Sequence, residues 1–195
     1  MGPVALLGGT FDPIHNAHLE IARAAADRFS LERVLFIPAA SPPHKNNAAI
    51  ASYDDRVRMV ELACAGDPRF EVSRIEEGPG PSYSILTIEK LKAHGFDSIS
   101  FIIGADAFRE IRSWYRWQDV LASVSFIVVT RPGADYLPPP DAVVHELTGL
   151  FLPHSSSGIR ASLAAGDDCA VDLPASVLRY IREHGLYRSR AQKII

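Results

Sequence analysis

The chain has 195 residues, 47% of them apolar, and a formal net charge of −3 with the histidines neutral. That length and composition suffice for one domain with a sizeable core, and the slight negative charge speaks against a nucleic-acid coat or a polybasic membrane anchor. Cys64 and Cys169 have no metal-ligand spacing and form no disulfide framework, and neither a signal-peptide pattern nor a bilayer-length apolar run stands out, so a cytoplasmic protein without membrane contact is the expectation.

In chain order, the apolar run Val4-Ala5-Leu6-Leu7 meets Gly8-Gly9-Thr10 and then a helical pattern. This reads as a buried parallel strand feeding a tight loop and a helix start. Loop amides and the positive end of a helix dipole converge at such a junction, which makes it a natural anion site. His15 and His18 are three residues apart and share a face once the helix has begun, so two imidazoles would sit where a phosphate would rest. Ordinary surface or capping roles are the alternative for such histidines. Leu19, Ala22, Ala26 and Phe29 recur at helical spacing, and Val34 to Ile37 is a second buried strand closed by Pro38. Strand, helix and strand in this order form a right-handed crossover, the unit of a doubly wound sheet.

The connection from Ala39 to Ser52 is long and rich in proline, asparagine and alanine. Its Pro42-Pro43-His44-Lys45 puts a lysine near the carboxyl end of the second strand, where open α/β sheets bind ligands. Lys45 is then either a phosphate ligand or a solvated surface side chain. Ser52 with Asp55 resembles a cap for a helix carrying Val57, Val60 and Cys64 on one face, which makes Cys64 a core residue. Gly66-Asp67-Pro68 ends that helix, and Phe70 to Ser73 alternates like a strand. A Gly/Pro-rich loop spans Glu76 to Ser82, and a helix from about Tyr83 to His94 ends at Gly95.

Ser98 to Ile103 is the next buried strand, and it runs into Gly104-Ala105-Asp106. Asp106 could accept hydrogen bonds from a ribose or cap the following helix. Trp114 and Trp117 flank Tyr115 and Arg116; they either seal a core edge or offer a flat face to an aromatic ligand. Phe126 to Val129 is a fifth strand, followed by Arg131-Pro132-Gly133 and a proline-rich connection. Val143 to Leu147 and Leu150 to Leu152 read as short strands. His154-Ser155-Ser156-Ser157-Gly158-Ile159-Arg160 is a flexible linker or a helix start that binds an anion, with Arg160 favouring the anion. A last helix runs from roughly Pro174 to His184, with proline in its first turn and Gly185 after it. The tail from Arg188 to Lys193 reads as a solvated end. The P-loop and G-x-G-x-x-G patterns of kinases and dehydrogenases are missing.

The string from Gly8 to His18 resembles that of the His-x-x-His nucleotidylyltransferases. From about Val4 to Tyr187 the sequence is similar to bacterial nicotinate mononucleotide adenylyltransferases. Further matches are Pro42-Pro43-His44-Lys45, Ser82-Tyr83-Ser84, Ile103-Gly104-Ala105-Asp106, Trp114 with Trp117, Arg131-Pro132-Gly133, the serine segment through Arg160, and Tyr180-Ile181 with Leu186-Tyr187. Ala17 stands where the family usually has glycine, and Ser84 and Ser157 where it often has threonine.

The resemblance implies a Rossmann-like α/β fold with a mostly parallel sheet, helices on both faces and a single domain over residues 1–195 with a small C-terminal helical portion at about 155–187. It implies adenylyl transfer from ATP to nicotinate mononucleotide in NAD biosynthesis, with Mg²⁺ held mainly by ATP phosphates. His15, His18, Lys45 and Arg160 would be the catalytic set. Gly8, Gly9, Thr10, Phe11, Gly104, Asp106, Ser156 and Ile159 would complete the ATP site. Ser84, Trp114, Tyr115 and Arg131 would contact the pyridine nucleotide, and no protein metal site is expected. Partners are small molecules, with a homo-oligomer left open.

This chemistry suits the residues. A phosphate monoester is largely dianionic near neutral pH, so it needs no general base. It does need positive charge to meet a second polyanion and to offset charge developing on the α-phosphate. A same-fold transferase acting on another phosphate, such as phosphopantetheine, and a non-catalytic nucleotide-binding module are the rival readings.

Overall fold

A computed structural model of the chain describes residues 2–41, 50–130, 136–150 and 154–188. In strand β1 (Val4–Gly9), Val4 and Leu6 enter one apolar cluster while Ala5 and Leu7 enter another. Successive side chains of a strand point to opposite faces, so an apolar run of this kind demands cover on both.

Helix α1 (Asn16–Arg28) returns the chain to β2 (Arg33–Pro38), parallel to β1, and α2 (Tyr53–Cys64) leads to β3 (Phe70–Val72) beyond it. Helix α3 (Ser84–Ala93) packs on the opposite face and delivers β4 (Ile99–Gly104) to the free side of β1. A short helix α4 (Ala105–Arg109), a 3-10 turn at Ile111–Ser113 and α5 (Trp117–Ser123) precede β5 (Ser125–Val129), which is followed by β6 (Val144–Leu147). All pairings are parallel, in the order β3-β2-β1-β4-β5-β6. The doubly wound α/β class is therefore the one the resemblance implied. Helices α6 (Ser156–Ala165) and α7 (Ala175–Glu183) pack on the α1 and α2 side, where Ile159, Val177 and Ile181 join the cluster of Ala22 and Val60.

The direction of strand order reverses between β1 and β4. Crossovers leave this reversal point on opposite faces, so a crevice opens at the carboxyl ends of the two strands. The β1–α1 junction lies on one side of it and the β4–α4 junction on the other.

Most local expectations match. Ser52 Oγ accepts from the Asp55 amide at 3.1 Å and caps α2, whose buried face includes Val57, Val60 and Cys64. Leu19, Ala22 and Ala26 of α1 are buried, whereas Phe29 is the half-buried C-cap. Pro174 is the extended N-cap of α7 and does not lie within its first turn. The short strand expected from Leu150 to Leu152 falls mostly outside the described residues, which exclude 151 and 152 as well as the tail from 189, while β6 ends at Leu147. Among the described residues no helix is long and apolar enough to cross a membrane.

Candidate active site

The turn out of β1 is shaped by one aromatic ring. Phe11 adopts a left-handed φ of 49°, a conformation that costs a residue with a side chain about 1–2 kcal/mol. Its ring turns back over Gly9, where an added Cβ would lie 2.8 Å from it. The ring meets His18 edge-on at 5.0 Å and leans on Phe36 at 5.9 Å. Position 9 is glycine because the ring that braces His18 takes up its side-chain space.

His15 is the extended N-cap of α1 and is only 4% exposed. Its backbone N–H donates to His18 Nδ1 at 3.3 Å. That bond makes Nδ1 the acceptor, so the neutral His18 ring carries its proton on Nε2, on the far edge. The two rings lie 3.8 Å apart, tilted by 31°. His15 Nδ1 is buried and has no partner among the described residues. Burial first, then His154, with Asp172 opposing them, hold the His15 imidazole down to about 4. Alone, then, this ring is neutral at pH 7, and an arriving polyanion is what would favour its charged form.

Asp12 organises the same loop. Its carboxylate, buried at 4% exposure, accepts from the Ile50 amide at 2.8 Å, the Ala51 amide at 3.2 Å and the Tyr187 hydroxyl at 2.7 Å. Arg160 Nη1 donates to the Asp12 carbonyl at 2.7 Å and lies 4.0 Å from its carboxylate. Ser156 Oγ donates to the Pro13 carbonyl at 3.0 Å. Buried Arg56 donates to the Thr10 and Ala39 carbonyls at 2.7 and 2.8 Å, and Ala39 N–H donates to the Gly9 carbonyl at 2.8 Å. Ser155 caps α6 by accepting from the Gly158 amide at 3.2 Å, so the serine segment is a helix start and not a linker. Thus Gly9, Thr10, Phe11, His15, His18, Ser156, Ile159 and Arg160 all cluster around the β1–α1 loop. Lys45 lies outside the described residues, yet both Ala39 and Ile50, on either side of its segment, are tied to that loop.

Across the crevice, Ser84 begins α3 and lines a small cavity of about 30 Å³ with Leu6, Gly8, Ile37, Glu76, Thr87 and Phe101. Trp114 packs on Phe101 with ring centres 5.9 Å apart, and both tryptophans lie half-buried against the core. Tyr115 is 49% exposed and stacks on Tyr83 at 4.5 Å. Gly104 has open space where a Cβ would stand. Asp106 lies inside the first turn of α4, makes an ion pair with Arg109 and is exposed; Gly104, not Asp106, is the N-cap. Arg131 lies outside the described residues. Among the described residues no group of three or more His, Cys, Asp or Glu could hold a metal ion.

Of the loop's main organisers, Asp12 and Tyr187 enter the sequence reading only as letters of matched strings, and Arg56 does not enter it. Arg56 carried a signal, since it precedes Val57 on the buried face of an otherwise apolar stripe. A long-range bond such as Tyr187 to Asp12 leaves no local pattern.

An all-parallel doubly wound sheet with paired imidazoles at its switch point defines a nucleotidyltransferase of the Rossmann-like class, and residues 6–162 match the family described as Cytidylyltransferase-like. Over 186 residues the sequence is 57% identical to a "Probable nicotinate-nucleotide adenylyltransferase" of Solibacter usitatus (strain Ellin6076), covering 94% of this chain and 98% of that protein. A protein with the same description from Geotalea daltonii is 40% identical over 210 residues, 94% of this chain and 97% of its own length. The fold is also that of a Plasmodium falciparum nicotinic acid mononucleotide adenylyltransferase complexed with NaAD, with a TM-score of 0.77 at 18% identity, covering 96% of this chain and 98% of that one. The chain belongs to the nicotinate-nucleotide adenylyltransferase family.

Proposed function

We propose that the protein transfers the adenylyl group of ATP to nicotinate mononucleotide, giving nicotinate adenine dinucleotide and pyrophosphate. The observation that carries this reading is the close, tilted pair His15 and His18 at the mouth of the β1–β4 crevice, braced by Phe11, with Arg160 bonded to the same loop at Asp12.

An oxygen of the mononucleotide phosphate forms the new bond to the α-phosphorus. The bond from that phosphorus to the bridging oxygen of pyrophosphate breaks, and the electron pair leaves with pyrophosphate. No proton has to be removed from the nucleophile, so the protein's work is positioning and charge compensation. His18 Nε2–H donates to an α-phosphate oxygen, and His15 becomes the better cation as negative charge approaches. Arg160 and Lys45 hold the departing phosphates, with the Gly8 to Phe11 segment and Ser156 closing the cradle around Ile159. Gly104 and Asp106 face a ribose, where open space at Gly104 admits a sugar. Ser84, Trp114, Tyr115 and Arg131 take the pyridine nucleotide, the Trp114 ring lying flat on it.

Donors at the β1–α1 junction are imidazole, hydroxyl and guanidinium groups, which suit phosphate oxygens better than they suit Mg²⁺, an ion that takes oxygen ligands. Any Mg²⁺ would be held by the ATP phosphates and not by these side chains, and would supply neutralisation of phosphate charge. Free Cys64 and Cys169 fit a reducing cytoplasmic compartment.

The test is product analysis by mass spectrometry with ATP, Mg²⁺ and, separately, nicotinate mononucleotide, nicotinamide mononucleotide and phosphopantetheine. Deamido-dinucleotide with stoichiometric pyrophosphate is expected. Product from phosphopantetheine alone, or no pyrophosphate from any of the three, would overturn the assignment.

A further inference from the structure

Close to the imidazole pair lies a His–Asp contact that the reaction above does not use. His154, immediately before the Ser155 cap of α6, approaches Asp172 with Nδ1 2.6 Å from Oδ1. Asp172 is also tied to the start of α1: its carbonyl accepts from the Asn16 amide at 2.9 Å, and the neighbouring Val171 carbonyl accepts from Asn16 Nδ2 at 3.0 Å. Asn16 follows His15 directly. Two residues before it the chain is held as well, because Ser156 Oγ donates to the Pro13 carbonyl. The first residue of α6 and the segment ahead of α7 therefore grip the chain on both sides of His15. The ring itself is buried, with one nitrogen lacking a partner among the described residues.

We propose that His154 and Asp172 form a backing pair for His15, in which the Asp172 main chain positions the residue and the two opposite side-chain charges act on its imidazole from behind. The inference rests on the reading of His15 as a phosphate-facing group. Among the described residues, the titratable groups facing that ring are His18 of α1, tilted against it at 3.8 Å, His154 ahead of α6 and Asp172 ahead of α7. Asp12 and Arg160, further round the loop, are engaged with one another. Burial leaves His15 reluctant to take a proton; Asp172 favours the charged ring, while a cationic His154 disfavours it and draws on the same carboxylate. His154 and Asp172 are 33% and 20% exposed, so the field they set is partly screened and adjustable, unlike a buried charge. They touch no reacting atom and are positioning residues.

Opposite charges make opposite predictions, which a merely structural contact would not. The imidazole resonances of the full-length protein, without ligand, are titrated by NMR in wild type, His154→Asn and Asp172→Asn. Asp172→Asn keeps the carbonyl that holds Asn16, so it removes the charge and spares the anchor. The His15 midpoint is expected to rise in His154→Asn and to fall in Asp172→Asn, each by roughly half a unit to one unit. The double variant should return towards wild type.

Should acid unfold a variant first, calorimetry of ATP binding at pH 6 in two buffers of different ionisation enthalpy gives the proton uptake. More uptake than wild type is expected for His154→Asn and less for Asp172→Asn. Unchanged values, or shifts of the same sign in both variants, overturn the pair. Neither readout depends on turnover, so a protein that made no dinucleotide yet showed the opposed shifts would sink the proposed function and leave the pair standing.

Discussion

On the β1–α1 side of the crevice, the carbonyls of Thr10, Asp12 and Pro13 accept from Arg56, Arg160 and Ser156, and the Asp12 carboxylate gathers two amides and a hydroxyl. On the β4–α4 side, Trp114 rests on Phe101, Tyr115 stacks on Tyr83 with half its surface in solvent, and Asp106 is 80% exposed beside Arg109. The first wall is fixed by directional bonds to buried groups; the second offers flat surface and exposed charge. A group that must meet developing charge has to be held in advance, because reorientation during the reaction costs what the contact gains. A ring that is merely bound can be met by a face. Substitutions on the first wall should therefore strike the chemical step, and those on the second the binding of one substrate.

The sharpest way to break this contrast is His18→Ala. The ring is held by a bond to the His15 amide and by the edge of Phe11, and its loss leaves the core untouched. Removing a preorganised donor of this kind costs roughly 3–4 kcal/mol, or about 10²–10³ in turnover. Steady-state kinetics should show kcat falling far more than either Michaelis constant rises, with an unchanged melting temperature. Wild-type turnover in that variant would remove the phosphate role from this wall.

His15 offers a second test, of stability and not of rate. Its folded imidazole is held down to about 4 against an ordinary 6.5, so between those values the unfolded chain binds a proton that the folded chain refuses. Its contribution to stability is whole above the unfolded value and is lost as pH falls towards the folded one. Denaturant unfolding should find the protein weaker by about 2 kcal/mol at pH 5 than at pH 7 from this group. His15→Gln should flatten that slope, and an equally steep slope in the variant would mean the ring is not the buried neutral group described.

How much of this could be read beforehand differs between the walls. Strands with both faces buried are simple apolar runs, and Val4 to Leu7, Val34 to Ile37 and Phe126 to Val129 were visible as such. The caps at Ser52 and Ser155 follow from short-range chemistry, though for the serine segment only the structure decides between linker and helix start. Asp12 looked like one letter of a motif, because its partners lie 38, 39 and 175 residues away and no local period reports them. The fate of Pro174 turned on a single backbone residue, the scale at which helix ends are least legible. For Trp114, core seal and ligand platform looked alike from sequence, and the structure makes it the first without disposing of the second.

Trp114→Ala sharpens the comparison from the other side. The ring is half-buried, so part of its loss falls on packing against Phe101. Its free face should matter only to the pyridine nucleotide, and one stacked ring is worth about 0.5–1.5 kcal/mol beyond its buried area. The Michaelis constant for that substrate should rise by about tenfold, with little change in that for ATP. Equal rises for both substrates would make the two walls one continuous surface and erase the distinction.

The smallest effect is expected where neither wall reaches. Cys64 lies at the end of α2 at 5% exposure, and burial, with Asp67 adding to it, pushes its thiol up to about 12. At neutral pH it is a small apolar side chain and a poor nucleophile. Cys64→Ser swaps sulfur for a hydroxyl that must find a partner in the core or go without, a penalty of about 1–2 kcal/mol. A chain of this size should lose a few degrees of melting temperature, roughly 2–4 °C per kcal/mol. Its kcat should be untouched, because α2 bears on the reactive junction through Arg56 and the bonds to Thr10 and Ala39, and those lie two turns away on the same helix. Loss of the chemical step at an unchanged melting temperature would instead put a reactive thiol where the structure has a packed one.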